Sequence, residues 1–325
     1  MRFTSLAIIG ISAVILAALP AGEAAAQEWP TQTVKIITPF PPGSGGDVTA
    51  RPFADGLAKR WGKPVVVENR PGADGIVAVT AVLAARDGHT LLYTNGGPLT
   101  SNQISHAGKL PYDPAKDLIS ISGGAEVFVG IGVPASLSVG SIAEFVKLAH
   151  SRPRQFNWGA TPGSLDYLLP GFFARFGIDM ARVPYRDVSS AMQDLSQSRL
   201  HFYVAGLATQ LPMAQSGSVR IIAVTNKVRS QATPDVVTAE QAGFPDLSYE
   251  AFLGFFGPRS MPQAIRDHIS IAVRAIGADD DLTRKFTAMG MKVRVTAPAE
   301  LDGIIQEERA ALARMIAGAS SIPPR

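Results

Sequence analysis

The stretch VKIITPFPPGSGGDVTAR, residues 34–51, decides how this chain is to be read. Val34–Thr38 is a short apolar run with β-branched residues, which predicts a buried strand. A Pro/Gly loop follows, and from Val48 the pattern turns helical through Trp61. A strand that breaks into a helix through such a loop presents unpaired backbone N–H groups at one point, backed by the positive end of the helix dipole. A carboxylate fits that electrostatics. The spacing matches neither the phosphate loop G-x-x-x-x-G-K-[ST] nor the dinucleotide signature G-x-G-x-x-G.

The residues before this stretch give an address. Met1-Arg2 are followed by a nearly all-apolar run, Leu6–Leu19, and Ala24–Ala26 form a small-residue cleavage pattern before Gln27. These are the three parts of a secretory signal. The apolar core is too short for the roughly 20 residues of a membrane span. Residues 1–26 are therefore expected to be removed, leaving a periplasmic chain.

Composition narrows the function classes. The 325 residues include no cysteine, so thiolate nucleophiles, thiolate metal sites and lipid attachment through cysteine are ruled out. The formal charge of +3 is scattered and not clustered with aromatics, which argues against a nucleic-acid partner. The five histidines show no metal-ligand spacing, and no G-x-S-x-G elbow occurs. No catalytic residue, metal or cofactor is expected.

Downstream, strand-like and helix-like segments alternate. Strands are expected at 65–69, 90–94, 128–133, 156–159, 182–185, 200–205, 219–225 and 292–295. Helices are expected at 76–85, 142–150, 165–176, 188–196, 263–275, 281–289 and 299–316. Such alternation predicts an α/β architecture with largely parallel sheets, whose ligand sites lie where strands turn into helices. Three such turns are rich in small and polar residues: Pro42–Asp47, Asn95–Gly97 and Thr161–Ser164.

Several further stretches carry a resemblance. VVVENRPGADG (65–75), DGHTLLYTN (87–95), LPYDPAKDL (110–118), GATPGSLDY (159–167), DMARVPYR (179–186) and IIAVTNKVRSQATPDVVTAEQAGFPDL (221–247) follow KIITPFPPGSGGDVTAR in order. Together they resemble the periplasmic receptors of the tripartite tricarboxylate transporters, the Bug family. The resemblance implies a type II periplasmic-binding-protein fold: two α/β domains joined by two crossover strands, with a ligand cleft between them. It implies a discontinuous first domain, 27–127 plus 251–325, and a second domain, 128–250. It also implies a monomer that closes on a small mono-, di- or tricarboxylate and hands it to a two-component membrane permease driven by an ion gradient. Presentation of the ligand to a sensor kinase, or a secreted enzyme using the same cleft, are the other readings.

Candidate ligand contacts follow, each with a plainer alternative. Gly43, Ser44, Gly45 and Gly46 would let backbone approach a carboxylate, or simply form a turn needing positive φ. Asp47 is a helix N-cap or a contact. Phe40 is a cleft wall or core packing; Asn95, with Gly96, is a contact or a turn. Thr161, Gly163 and Ser164 match the family loop that grips a second carboxylate, or Ser164 is an N-cap. Ala205 stands at a strand end where the family often has Asp, beside the cleft. That exchange favours an apolar-bodied acid over an amino acid.

Overall fold

The computed structural model describes residues 29–161, 163–185 and 187–320, with side chains placed through 316. The secretory signal expected at 1–26 lies outside these residues. Among the described residues no helix is long and apolar enough to cross a membrane.

Among the described residues eleven strands form two sheets. In chain order they are β1 (Val34–Thr38), β2 (Val65–Asn69), β3 (Thr90–Asn95), β4 (Leu118–Val127), β5 (Val129–Pro134), β6 (Asn157–Ala160), β7 (Ala181–Arg182), β8 (Phe202–Gly206), β9 (Val219–Val224), β10 (Ala251–Pro258) and β11 (Met291–Val293). The first sheet runs β11-β4-β10-β3-β1-β2 and the second β7-β6-β8-β5-β9. Helices cover the sheets, giving two α/β units of the type II periplasmic-binding-protein kind. The first sheet draws on both ends of the chain and the second on its middle.

The sheets are mixed, not largely parallel. β2-β1-β3 and β7-β6-β8 are parallel. β10 runs antiparallel to both β3 and β4, and β5 antiparallel to both β8 and β9. The reason is the path between units. β4 leaves the first sheet and, across Phe128 alone, becomes β5 of the second. The chain returns past Tyr249 into β10. A strand that leaves one sheet to enter another cannot keep every neighbour parallel.

The first crossing is held by Asn226. Its side chain is fully buried, accepts from Val129 N at 3.0 Å, and donates to Glu126 Oε1 at 3.1 Å and Val127 O at 3.2 Å. Strand ends leave backbone groups without ladder partners, and this amide satisfies them. At the second crossing Tyr249 N and Thr225 O pair at 3.0 Å, and Thr225 Oγ1 donates to Tyr249 O at 2.7 Å.

Each unit has its own apolar core. One gathers Ile36, Phe53, Leu57, Tyr93, Phe255 and Phe286; the other Ile131, Phe145, Phe172, Phe202 and Val204. The C-terminal helix Pro298–Ser320 packs on both units, against β4 on one side and the helix Leu168–Arg175 on the other. Its buried positions Leu301, Ile305, Glu308 and Leu312 form one stripe at helical spacing. Three of the four are aliphatic, and the fourth is a carboxylate.

Candidate functional site

The helix Gly45–Trp61 begins at Ser44, its N-cap, whose φ of −75° and ψ of 165° are extended. Val48 N donates to Ser44 O at 2.9 Å, the first helical bond. The amides of Gly45, Gly46 and Asp47 take no acceptor among the described residues, as expected for the first turn. The three free donors lie at the positive end of a 17-residue helix. The Ser44 hydroxyl gives its proton to Pro41 O at 2.6 Å, so it is not a spare donor for a ligand.

Asp47 is not the N-cap, and its carboxylate is committed to the loop. It is the third residue of the helix, and its carboxylate reaches back to Gly43 N at 2.8 Å. This is the acidic half of a capping box, shifted by one residue. The other partners are Arg51 (Nη2–Oδ1 2.7 Å, Nε–Oδ2 3.0 Å) and Asn69 Nδ2 at 2.7 Å. Burial alone would raise its pKa, but the bonds from Arg51, Asn69 and Gly43 outweigh it and hold the carboxyl below 3.8. Asn69 also donates to Phe40 O at 2.9 Å. One buried carboxylate therefore fixes the loop on both sides of its glycines. A Cβ on Gly46 would come within 2.0 Å of the Phe40 ring, so that ring packs directly on the loop.

Asp47→Asn keeps the shape but leaves Arg51 without its counter-charge. A loss of about 1–3 kcal/mol is expected, read from denaturant midpoints at pH 7. The wild-type advantage is present above pH 3.8 and should vanish as the pH falls through the depressed pKa. An advantage that persisted at pH 2 would show that the ionised carboxylate is not its source.

The second and third turns meet. Asn95 ends β3, half-buried, and Gly96 is fully covered. Gly163 has φ +112° and ψ −141°, which only glycine adopts without strain. It faces Ser101 of the other unit; an added Cβ would lie 3.9 Å from Ser101 Oγ. Ser164 is buried, and its hydroxyl donates to Glu308 Oε1 at 2.6 Å. Ser164 is therefore not an N-cap. Tyr249 OH donates to the same oxygen at 2.8 Å. A Cβ on Gly96 would stand 1.8 Å from Glu308 Oε2. Glu308 thus lies at the junction of the 96–101 turn, the 161–164 turn and the second crossing.

Glu308 is only 5% exposed, and burial raises its pKa above the usual 4.5 against the opposing hydrogen bonds of Ser164 and Tyr249. Tyr249, buried beside it, is pushed well above 10. Sequence reasoning missed Glu308. Its signal was a lone carboxylate on the apolar stripe of the C-terminal helix, a position that is rarely charged without a partner.

Nearby, Asp166 pairs with Arg182 at 2.8 Å; its pKa is raised because burial outweighs that pairing. The Thr161 hydroxyl is buried without a well-formed hydrogen bond among the described residues. Ala205 is fully buried. On β8, Phe202 and Val204 enter the large core of the second unit, whereas Tyr203 and Ala205 pack with Ala191 and Leu195. The Ala205 methyl is core, and its carbonyl accepts from Gln210 Nε2 at 3.0 Å. The same strand end does border the junction through its next residues. Gly206 faces Val127, Leu207 packs on Gly290, and Met291 reaches the Gly45 side. Among the described residues no group of three His, Asp or Glu side chains could hold a metal.

Comparison with known proteins places this geometry. The model of the tripartite tricarboxylate transporter family receptor matches residues 49–320. Protein BugT of Bordetella pertussis is 28% identical over 310 residues, covering 93% of each chain. The adipate-bound structure of Rpa4515 from R. palustris superposes with a TM-score of 0.82 at 26% identity, covering 90% of this chain and 99% of that one. MatC (Rpa3494) from Rhodopseudomonas palustris, with bound malate, gives 0.76 at 26%, covering 89% and 100%. With two α/β units joined by crossing strands, helix-start amides at the junction and a family match over most of its length, this chain belongs to the tripartite tricarboxylate transporter receptors, periplasmic solute-binding proteins of membrane transport.

Proposed function

We propose that the protein captures a small organic acid between its two units and delivers it to the two-component permease of a tripartite, ion-gradient-driven transporter. The carrying observation is the set of unpartnered amides at Gly45, Gly46 and Asp47, aligned with a long helix and fixed by the Asp47 carboxylate. One ligand carboxylate docks there through backbone donors, with Phe40 beside its carbon chain. The turn at Thr161–Ser164 closes over the other end, with Asn95 and Gly96 contributing from the first unit. Ser164 and Ala205 support this turn from behind. We take the domains as 27–127 plus 251–325 and 128–250, after removal of residues 1–26.

Dicarboxylates of four to six carbons are the leading ligands. Two relatives at 26% identity hold adipate and malate. Closure follows from contacts made only when both units touch the ligand.

Calorimetric titration of the purified protein against mono-, di- and tricarboxylates tests this reading. Saturable binding of at least one dicarboxylate is expected. Free aspartate and glutamate should bind at least about tenfold more weakly, because the carboxylates of Asp47 and Asp166 beside these turns are already paired with Arg51 and Arg182 and are not free to receive an ammonium. An intact fold that binds none of the acids overturns the proposal.

A further inference from the structure

A second feature lies behind the first sheet, away from the helix-start loop. A recess of about 310 Å³ opens between β4, β10 and the C-terminal helix. Its lining includes Leu99, Ser120, Arg259, Arg266, Asp302 and Arg309. Three guanidinium groups thus surround one hollow. Each is anchored by a single backbone carbonyl. Arg259 Nη2 donates to Ala115 O at 2.6 Å, Arg266 Nε to Ser120 O at 2.8 Å, and Arg309 Nη2 to Leu99 O at 3.0 Å. Arg309 Nε is buried and has no partner among the described residues. The one carboxylate of the lining, Asp302, is 57% exposed and stands 4.0 Å from Arg266 Nη2.

Guanidinium groups converging on one volume repel each other unless an anion sits between them. A guanidinium carries five donors, and each carbonyl anchor here uses one. The anchors fix the forks; Arg259 keeps its Nε and Nη1 donors and Arg266 its two terminal amino groups outside those anchors, while Arg309 Nε is itself covered. Three positive charges against one negative leave it with a net excess of two. We propose that this recess is an anion site separate from the cleft, taking a compact anion with several oxygens of the phosphate class. Planar forks held in place match such oxygens in pairs. The volume holds about ten waters at ~30 Å³ each, which is ample for a tetrahedral oxyanion with part of its hydration shell. The inference does not depend on which acid the cleft accepts.

Inorganic phosphate is the probe, and the arginine Nε–Hε resonances of the uniformly 15N-labelled protein are the readout. Saturable shifts at Arg259, Arg266 and Arg309 are expected. Arg259→Gln/Arg266→Gln should weaken binding roughly tenfold or more, since two charge-assisted donors are lost. Circular dichroism checks that the fold persists. If the double variant does not fold, Arg259→Gln alone decides, because that side chain is exposed and its loss should still weaken binding severalfold. Linear, non-saturating shifts, shifts confined to the cleft loops, or unchanged affinity in the variant overturn the assignment. Acid binding at the cleft, measured on the same sample without phosphate, reports separately on the receptor reading.

Discussion

Gly96→Ala should lower stability by about 2–6 kcal/mol and abolish acid binding. The new Cβ would stand 1.8 Å from Glu308 Oε2, closer than any real contact allows. Two costs add. Overfilling a packed site costs about 1–3 kcal/mol. Driving the carboxylate away from Ser164 and Tyr249 strands buried hydroxyls, at about 1–3 kcal/mol. The turn at 161–164 loses its tie to the first unit at the same time, so the surface proposed to close on the ligand is no longer held. A double-mutant cycle identifies the cause. In a Glu308→Ala background the alanine at 96 finds room, so the two changes should couple by at least about 1 kcal/mol. Denaturant midpoints for the four proteins measure it. Strict additivity would mean that the glycine is needed for something other than the carboxylate.

The second large effect concerns pH. Burial keeps the Glu308 carboxyl above its usual 4.5, so the folded chain retains a proton that the unfolded chain has released. Its contribution is full below 4.5 and is lost as the pH rises through the raised pKa. The slope reaches up to about 1.4 kcal/mol per pH unit inside that window. Asp166, also raised by burial, adds a slope of the same sign. The groups facing Glu308 are Ser164, Tyr249 and Thr100, with Arg309 as the nearby charge. Of these only Tyr249 could titrate by deprotonation, and it does so well above 10. Glu308→Gln preserves the shape and removes the proton. Its stability relative to wild type should therefore climb as the pH rises above 4.5, and level off beyond the raised pKa. A difference that stays flat from pH 4.5 to 8 is the contrary result, and would mean that Glu308 ionises as a surface glutamate does.

How much of this was legible beforehand varies by element, for physical reasons. β1, β2 and the helices Ile76–Ala85 and Val188–Ser196 were read with their observed limits, because local pattern and turn chemistry agree there. β4 and β10 were not foreseen at all. Both are covered on both faces, so neither shows the alternation that marks a strand. Their glycines also lower strand propensity, and they do so for tertiary reasons. A Cβ on Gly254 would come within 3.2 Å of Leu301 and Ser122 O, and one on Gly123 within 2.5 Å of Arg294 O. The helix Leu207–Gln215 was missed too, since Pro212 lies inside it. The strand expected at 182–185 shrinks to Ala181–Arg182, an edge with one neighbour.

The site was legible as a set of turns, less so as a set of side chains. The glycine pattern at 43–46 announces free amides; those of Gly45 and Gly46 are free, whereas Gly43 N donates to Asp47 and Ser44 N to Pro41 O. Asp47 and Ser44 read as polar groups available to a ligand, yet both are spent on the loop itself, which sequence cannot show because their partners lie up to 22 residues away. Ala205 reads as a specificity position because it stands at a strand end where the family it resembles often has Asp. Pleat alternation sends its methyl into the core, one residue short of the turn.

The placement of the three tryptophans has an optical consequence. Trp29 and Trp61 sit edge to face, 4.9 Å apart, in the first unit. Trp158 stands alone in the second, on β6, with the Arg182 guanidinium 5.9 Å from its ring centroid. β6 runs straight into the turn at 161–164, and Arg182 is the ion-pair partner of Asp166 in the short helix Ser164–Tyr167 that follows it. Any shift of that pair on closure changes the field across one buried indole. With Trp29 and Trp61 replaced by phenylalanine, the protein would carry a single tryptophan, beside the turn proposed to close, and the capture of an acid could be timed by its emission without attaching a dye.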